Sequence, residues 1–404
     1  MANMTNYCRR LSVITILACL LCACDNGIVG TGLDVTKGIA QKGPFIKGAS
    51  VTIHVRPAPE FVETETIHKT IDNELGLFDF QFQANIYYEI EVSGSFYDEV
   101  NGANASEPVS LVSNFFYNEG ANQPVSINVL THIIHKRIDF LIANGMAPNE
   151  ALQTANDELM TQLKNSLLPS HLEKISLNQL SLYNFGDQIN SEGNAVLLFV
   201  SASFMQASQM YNAAISLQEI LDGLANEMET SGAVNNNDIS LLDIAAKHLN
   251  ADKIEANLLD YSKQAGVFDV SVPDIRWLLD NDGDGLHNDI DPDDDGDTIN
   301  DDVDPAPYDF QLIASEQTIS VPNDSSTELS LDYPQTDFIC SPEITQAPAN
   351  GSLINMSYQP NSGLVGQDQF QYVVNCILAN TDQVTSEPFT VFLNVVDPLS
   401  ITPP

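Results

Sequence analysis

The chain has 404 residues and an ordinary apolar fraction of 43%, but its formal charge is −40, from 55 acidic against 15 basic side chains. That imbalance excludes nucleic acid and anionic membrane surfaces as electrostatic partners, because both are held by basic patches. It favours divalent cations, and the length implies about two to four domains rather than one core.

Residues 1–23 have the form of an export signal. Arg9 and Arg10 precede the apolar run Leu11 to Ala23, which is too short for a lasting membrane span. The run ends in Leu21-Cys22-Ala23-Cys24, which resembles the lipobox of bacterial lipoproteins. The resemblance implies cleavage before Cys24 and a diacylglycerol on its sulfur, so that the membrane is a partner through an N-terminal lipid anchor. The expected location is the bacterial cell envelope, on the inner or outer membrane, facing the periplasm or the exterior. Residues 24–36 read as a Gly-rich tether. Cys8, Cys19 and Cys22 lie in the signal and Cys24 carries the lipid, so Cys340 and Cys376 are left as a pair. In an oxidising compartment a disulfide between them is expected.

Residues 37–128 read as a small antiparallel β-sandwich. Val51–Val55, Phe78–Phe82 and Tyr88–Val92 alternate at period two, with a turn between Thr70 and Phe78. Thr70, Asp72, Gly76 and Phe78 resemble the carboxypeptidase-regulatory-like module of exported proteins. The blocks Gln41–Phe45, Gly48–Thr52, Gly94–Gly102, Val125–His132 and Gly193–Leu198 are similar to a family of uncharacterised bacterial lipoproteins, over roughly residues 37–265. That likeness implies placement and architecture, and carries no catalytic motif.

Residues 129–266 turn helical and read as a bundle. Ile133, Ile134, Ile138, Leu141 and Ile142 mark one face that ends at Gly145, and Asn149 is expected to cap the next helix, through Leu163. Ala195–Tyr211, Ile215–Met228, Asp238–Leu249 and Lys253–Ala265 follow. Residues 267–279, with the single tryptophan Trp277, form a linker.

Residues 280–304 hold twelve aspartates and no lysine or arginine. Asp280, Asp282, Asp284, Leu286, Asn288 and Asp291 match Asp293, Asp295, Asp297, Ile299, Asp301 and Asp304 at an offset of thirteen. These are places 1, 3, 5, 7, 9 and 12 of a calcium loop, oxygen side chains filling five and a backbone carbonyl serving at the seventh. Gly285 stands at place 6, where the loop turns sharply; Thr298 stands there in the second frame, and a different turn is expected. The run resembles the thrombospondin type 3 repeat, which implies calcium as the cofactor and these twelve residues as its ligands.

Residues 305–312 form a second linker, and residues 313–397 return to strands: Gln317–Val321, Glu328–Leu331, Phe370–Val374 and Phe389–Val395. Pro348–Gly351, Tyr358–Gly363 and Gly366–Tyr372 resemble the bacterial Ig-like or cadherin-like repeat, which implies an Ig-like β-sandwich with Cys340 and Cys376 on two of its strands. Residues 398–404 are a tail. The fold class is thus multidomain α and β.

Other candidates carry less. His132 and His135 lack a His-Glu-x-x-His frame and read as surface or capping residues. Ser93 and Ser95 lack a nucleophile elbow. Phe204, Met205 and Met210 read as packing, and Phe115, Phe116 and Tyr117 as core or interdomain contacts. No enzyme is expected. A lipid-anchored structural or adhesive protein is, engaging a cell-surface protein or glycan, with a glycan- or peptide-binding module in residues 37–265 as the alternative.

Overall fold

The computed structural model describes residues 37–83, 85–117, 125–186, 191–210, 215–312, 317–333, 338–377 and 383–397. The signal, Cys24, the tether and the tail lie outside the described residues. The chain is a mixed α and β protein with six α-helices and several sheets among them.

The first strands are β1 (Lys37–Gln41), β2 (Ser50–Pro57), β3 (Glu65–Thr70), β4 (Leu77–Asp79), β5 (Ile86–Gly94), β6 (Tyr97–Asp98), β7 (Ala103–Asn104), β8 (Val109–Tyr117) and β9 (Val125–Asn128). One antiparallel sheet runs in the order β3-β2-β5-β8, and a smaller one in the order β4-β1-β9. Val51, Ile53 and Val55 lie opposite Val92, Ile90 and Tyr88, so the alternation in the sequence becomes one buried face. The pairing is not antiparallel throughout: β1 and β9 run parallel, because the chain returns to β1 by a long crossover, not a hairpin. The Phe78–Phe82 alternation yields only the three residues of β4. Phe80 and Phe82 leave the ladder and pack edge-on against Tyr88.

Strand β9 runs straight into α1 (Val129–Ala143). Buried Asn128 caps that helix in a reciprocal box with Thr131. The helices α2 (Pro148–Lys164), α3 (Ser191–Met210), α4 (Leu217–Ser231), α5 (Asn236–Ala246) and α6 (Ala251–Gln264) follow close to their expected places. Asn149 does not cap α2: Ala147 is its N-cap, and Pro148 opens it, since proline at the first turn removes only a donor without an intrahelical partner. Short β10 (Asn184–Phe185) pairs with β11 (Val270–Ser271).

Strands and helices share one hydrophobic core, from Ala40 to Leu279. The change at residues 128 and 129 is therefore a change of secondary structure within one core. Helix α3 is buried nearly all round from Gly193 to Phe204, as a helix without a polar face must be. Where it meets the strands, the fully buried Lys42 ammonium lies 2.7 Å from Glu99 and donates to Ser201 Oγ at 3.2 Å. Ile275, Leu278 and Leu279 belong to this core, so the end of the first linker is anchored in it.

The C-terminal strands are β12 (Gln317–Pro322), β13 (Thr327–Glu328), β14 (Ile339–Gln346), β15 (Gly351–Ile354), β16 (Ser357–Pro360), β17 (Gly366–Ile377), β18 (Gln383–Thr385) and β19 (Phe389–Val396). One sheet has the order β12-β19-β17-β14 with β18 also on β17, and a second has β13-β16-β15. A separate core lies between them, built on Val321, Tyr358, Phe370, Tyr372, Phe389 and Leu393, with Phe310 and Leu312 of the second linker. Cys340 and Cys376 stand directly opposite on β14 and β17, Cα atoms 4.1 Å apart, and are disulfide-bonded.

Candidate metal centre

The sequence offset of thirteen is repeated in the hydrogen bonds of residues 280–304. Asp282 Oδ1 accepts the N–H of Asp284 at 3.0 Å, and Asp295 Oδ1 that of Asp297 at 3.1 Å. Asp284 Oδ1 accepts from Leu286 at 2.7 Å, and Asp297 Oδ1 from Ile299 at 2.8 Å. Asn288 Oδ1 accepts from Asn281 at 3.3 Å and Asp301 Oδ1 from Asp294 at 2.9 Å. Asp291 accepts from Asp293 at 3.1 Å and Asp304 from Ala306 at 2.9 Å. The backbone agrees: Asn288 N donates to Leu279 O at 2.8 Å, and Asp301 N to Pro292 O at 3.0 Å. Short aspartates suit this use, because their side chains close local turns onto the backbone.

These carboxylates hold their own loops with one oxygen, except Asp280, whose Oδ2 accepts from Lys247. In several the other oxygen is buried and has no hydrogen-bond partner: Oδ1 of Asp280 and Asp293, and Oδ2 of Asp295, Asp297 and Asp304. Asp280, Asp282 and Asp284 bring oxygens within 4.8 Å of one another, as do Asp293, Asp295 and Asp297. Places 1, 3 and 5 of both frames are thus assembled. Asp291, Asp301 and Asp304 lie outside these triplets. The charges of Asp291 and Asp304 nevertheless act on the triplets, Asp291 on Asp282 and Asp304 on Asp295 and Asp297. Asn288 turns its oxygen to Asn281, and its buried amide nitrogen is without a partner. Leu286 and Ile299 donate their N–H groups to places 5.

The electrostatics are those of crowded anions, with the Lys247 ammonium beside Asp280 as the one basic side chain ion-paired with a frame carboxylate among the described residues. Burial, then the charges of Asp297, Asp304 and Asp293, push the Asp295 carboxyl up to about 7. Burial and the charges of Asp284, Asp291 and Asp280 push Asp282 up to about 6. Asp294, outside both frames, is pushed to about 8 by burial and by Asp301, Asp291, Asp295 and Asp282. Buried oxygens without donors, in an all-oxygen set, suit a hard divalent cation such as calcium. Calcium there would supply the missing positive charge, and places 1, 3 and 5 would hold it.

The expected difference in the second turn is not found. Thr298 has φ +81°, close to Gly285 at +96°, and its N–H donates to Asp293 Oδ2 at 2.9 Å. The loop geometry overrides the residue's preference. In the first frame the corresponding Asp280 Oδ2 accepts instead from Lys247 Nζ, 3.0 Å away.

The frames are tied to different bodies. The first meets the helical body through Lys247–Asp280 at the end of α5 and through His171–Asp289, His171 lying in the loop after α2. In the second, Gly296 lies against the Phe338 ring, and Asp297 accepts the Gln311 N–H. Sequence reasoning missed Lys247, which lies 33 positions before its partner. Asp294 it passed over as an acid outside the register, although the unbroken triplet Asp293-Asp294-Asp295 marks it.

Of the other candidates, His132 is buried and not at the surface. Its Nδ1 accepts from Val112 N at 3.1 Å, so its Nε2–H donates to Asp222 at 3.1 Å. His135 donates through Nδ1 to the His132 carbonyl. Phe204 is buried and Met210 is 42% exposed. Phe115 is buried and Phe116 packs on Phe61.

Compared with known proteins, the chain matches no family model, no curated protein and no solved structure at a significant level.

Proposed function

We propose that this is a lipid-anchored, calcium-binding protein of the bacterial cell envelope, structural or adhesive in role. Calcium stiffens the Asp-rich connector, which presents an Ig-like module away from the membrane. The observation that carries the calcium reading is the triplet Asp293, Asp295 and Asp297, whose carboxylates come within 4.8 Å of one another and each keep a buried oxygen without a hydrogen-bond partner. Carboxylates in this state repel one another, and a divalent ion converts the repulsion into coordination. Two separate apolar cores at the ends of the repeat support its role as a joint. The two sheets closed over the second core, with a cross-strand disulfide, support the Ig-like reading. The anchor rests on the lipobox at Cys24.

Limited proteolysis in calcium and in chelator tests the joint. Calcium is expected to protect the chain between Leu279 and Tyr308, and equal cutting in both conditions rules the reading out. Cys24→Ser is expected to move the protein from the membrane fraction to the soluble one; unchanged partition removes the anchor. A second reading, a glycan- or peptide-binding module, is favoured by a cavity of about 200 Å³ between β8, α1 and α2, lined by Asn114, Ile138, Gln153 and Lys174 among others. A glycan and peptide screen on the full chain decides between them: binding lost in Lys174→Ala supports the module.

A further inference from the structure

The two frames match in sequence register but not in surroundings. In the second, Asp295 and Asp297 are 3% and 1% exposed, whereas in the first Asp282 is half-buried and Asp284 is exposed. The second frame has four buried carboxylate oxygens without partners; the first has one, on Asp280. Five carboxylates belong to the second frame, Asp293, Asp295, Asp297, Asp301 and Asp304, and no lysine, arginine or histidine is ion-paired with any of them among the described residues. Four belong to the first, Asp280, Asp282, Asp284 and Asp291, and there the Lys247 ammonium sits 3.0 Å from Asp280 Oδ2. Lys247 takes the oxygen that in the second frame accepts the Thr298 N–H. A neutral donor orients a ligand without changing its charge. A lysine orients it too, and adds a positive charge next to the place of the ion.

We propose that the frames take calcium in order, the second at low concentration and the first only at higher concentration, with Lys247 as the built-in counter-ion that sets the gap. This rests on the calcium reading given above. Affinity in oxygen sites rises with ligand charge and with rigidity, and both favour the second frame. The first frame is also the one bonded to the helical body. Its filling therefore bears on Asp280, the residue at which the connector meets α5. The connector would respond to calcium in two stages, an inner stiffening and then a change at its junction with the helices. The strain at Thr298 does not reverse the order. That residue has its positive φ with its N–H on Asp293 Oδ2, so the chain's own hydrogen bond holds the turn.

Calcium titration calorimetry of the full chain in detergent tests this. The wild type is expected to show two steps. Lys247→Gln should tighten the weaker step about tenfold, as removal of a unit charge a few ångströms from a divalent ion implies, and leave the tighter step in place. Asp297→Asn should abolish the tighter step, and Asp284→Asn the weaker. The order is overturned if Lys247→Gln leaves the weaker step unchanged, or if Asp284→Asn removes the tighter. Heat uptake in a single class with two equal ions also overturns it, while leaving calcium binding intact. No uptake at all overturns the calcium reading itself. The two asparagine variants report on opposite steps, so loss of fold in one does not remove the test.

Discussion

Thr298 repeats the backbone of Gly285 thirteen residues earlier, at φ +81° against +96°, although only the glycine adopts that conformation without strain. The Thr298 N–H on Asp293 Oδ2 shows what the strain secures: it aims the opposite oxygen of Asp293 inward. A β-branched residue held at positive φ costs on the order of 1–3 kcal/mol, offset in part by the greater chain entropy of glycine. Thr298→Gly is therefore expected to stabilise the connector by about 1 kcal/mol, and Gly285→Thr to destabilise it by a similar amount. Hydrogen exchange across residues 280–304 reads both. A less protected Thr298→Gly would contradict the assignment of strain.

The Lys42–Glu99 pair joins the strands to α3 with both side chains wholly inaccessible. Burial raises the Glu99 carboxyl, and the Lys42 charge opposes that shift. Lys42→Met is expected to cost about 3–5 kcal/mol, because it leaves a buried carboxylate without its counter-charge, while the double variant with Glu99→Leu should recover most of the loss. Denaturant unfolding followed by Trp277, which packs on this core, measures both.

His132 is buried as a neutral ring, its proton on Nε2 facing Asp222. Burial first, then the charge of His135, lowers its pKa well below that of a free histidine, against the pull of Asp222. The unfolded chain binds the proton more readily, so stability is full above about pH 6.5 and falls as the pH drops toward the native-state value. His132→Gln is expected to flatten this slope between neutral and mildly acidic pH. An unchanged slope would place the acid sensitivity elsewhere.

The disulfide closes a span of 36 residues in the second body only. Reduction, or the Cys340→Ser/Cys376→Ser double change, should lower the stability of that body by roughly 3–4 kcal/mol through loop-closure entropy. Hydrogen exchange should rise in β17 and β14, with Trp277 fluorescence unchanged.

Helices and the period of thirteen were legible in the sequence because both are local. The 3.6-residue stripe of α1 and the Asp-x-Asp-x-Asp spacing are written in consecutive residues, and local backbone geometry obeys them. Strands whose faces alternate cleanly, β2, β5 and β19, were legible for the same reason. Strand β14 was not: seven of its eight residues are exposed, so no apolar period marks it. The single core shared by β2 and α3 was also hidden, since two apolar faces in sequence do not say which face meets which. Lys247 stands at the end of α5 as one of 15 basic residues, and only folding brings it to Asp280.

At Gly296, one aspartate loop is stacked on the other. A Cβ there would stand 2.9 Å from the Cβ of Asp282 and 3.3 Å from the Phe338 ring. The first loop is fastened to the helices and the second to the C-terminal strands, so this bare α-carbon is the bearing surface between the two halves of the molecule. A side chain at that place would press on Asp282 of the first loop and on Phe338, which packs against the second core, so the thickness of one residue sets how closely the two loops lie.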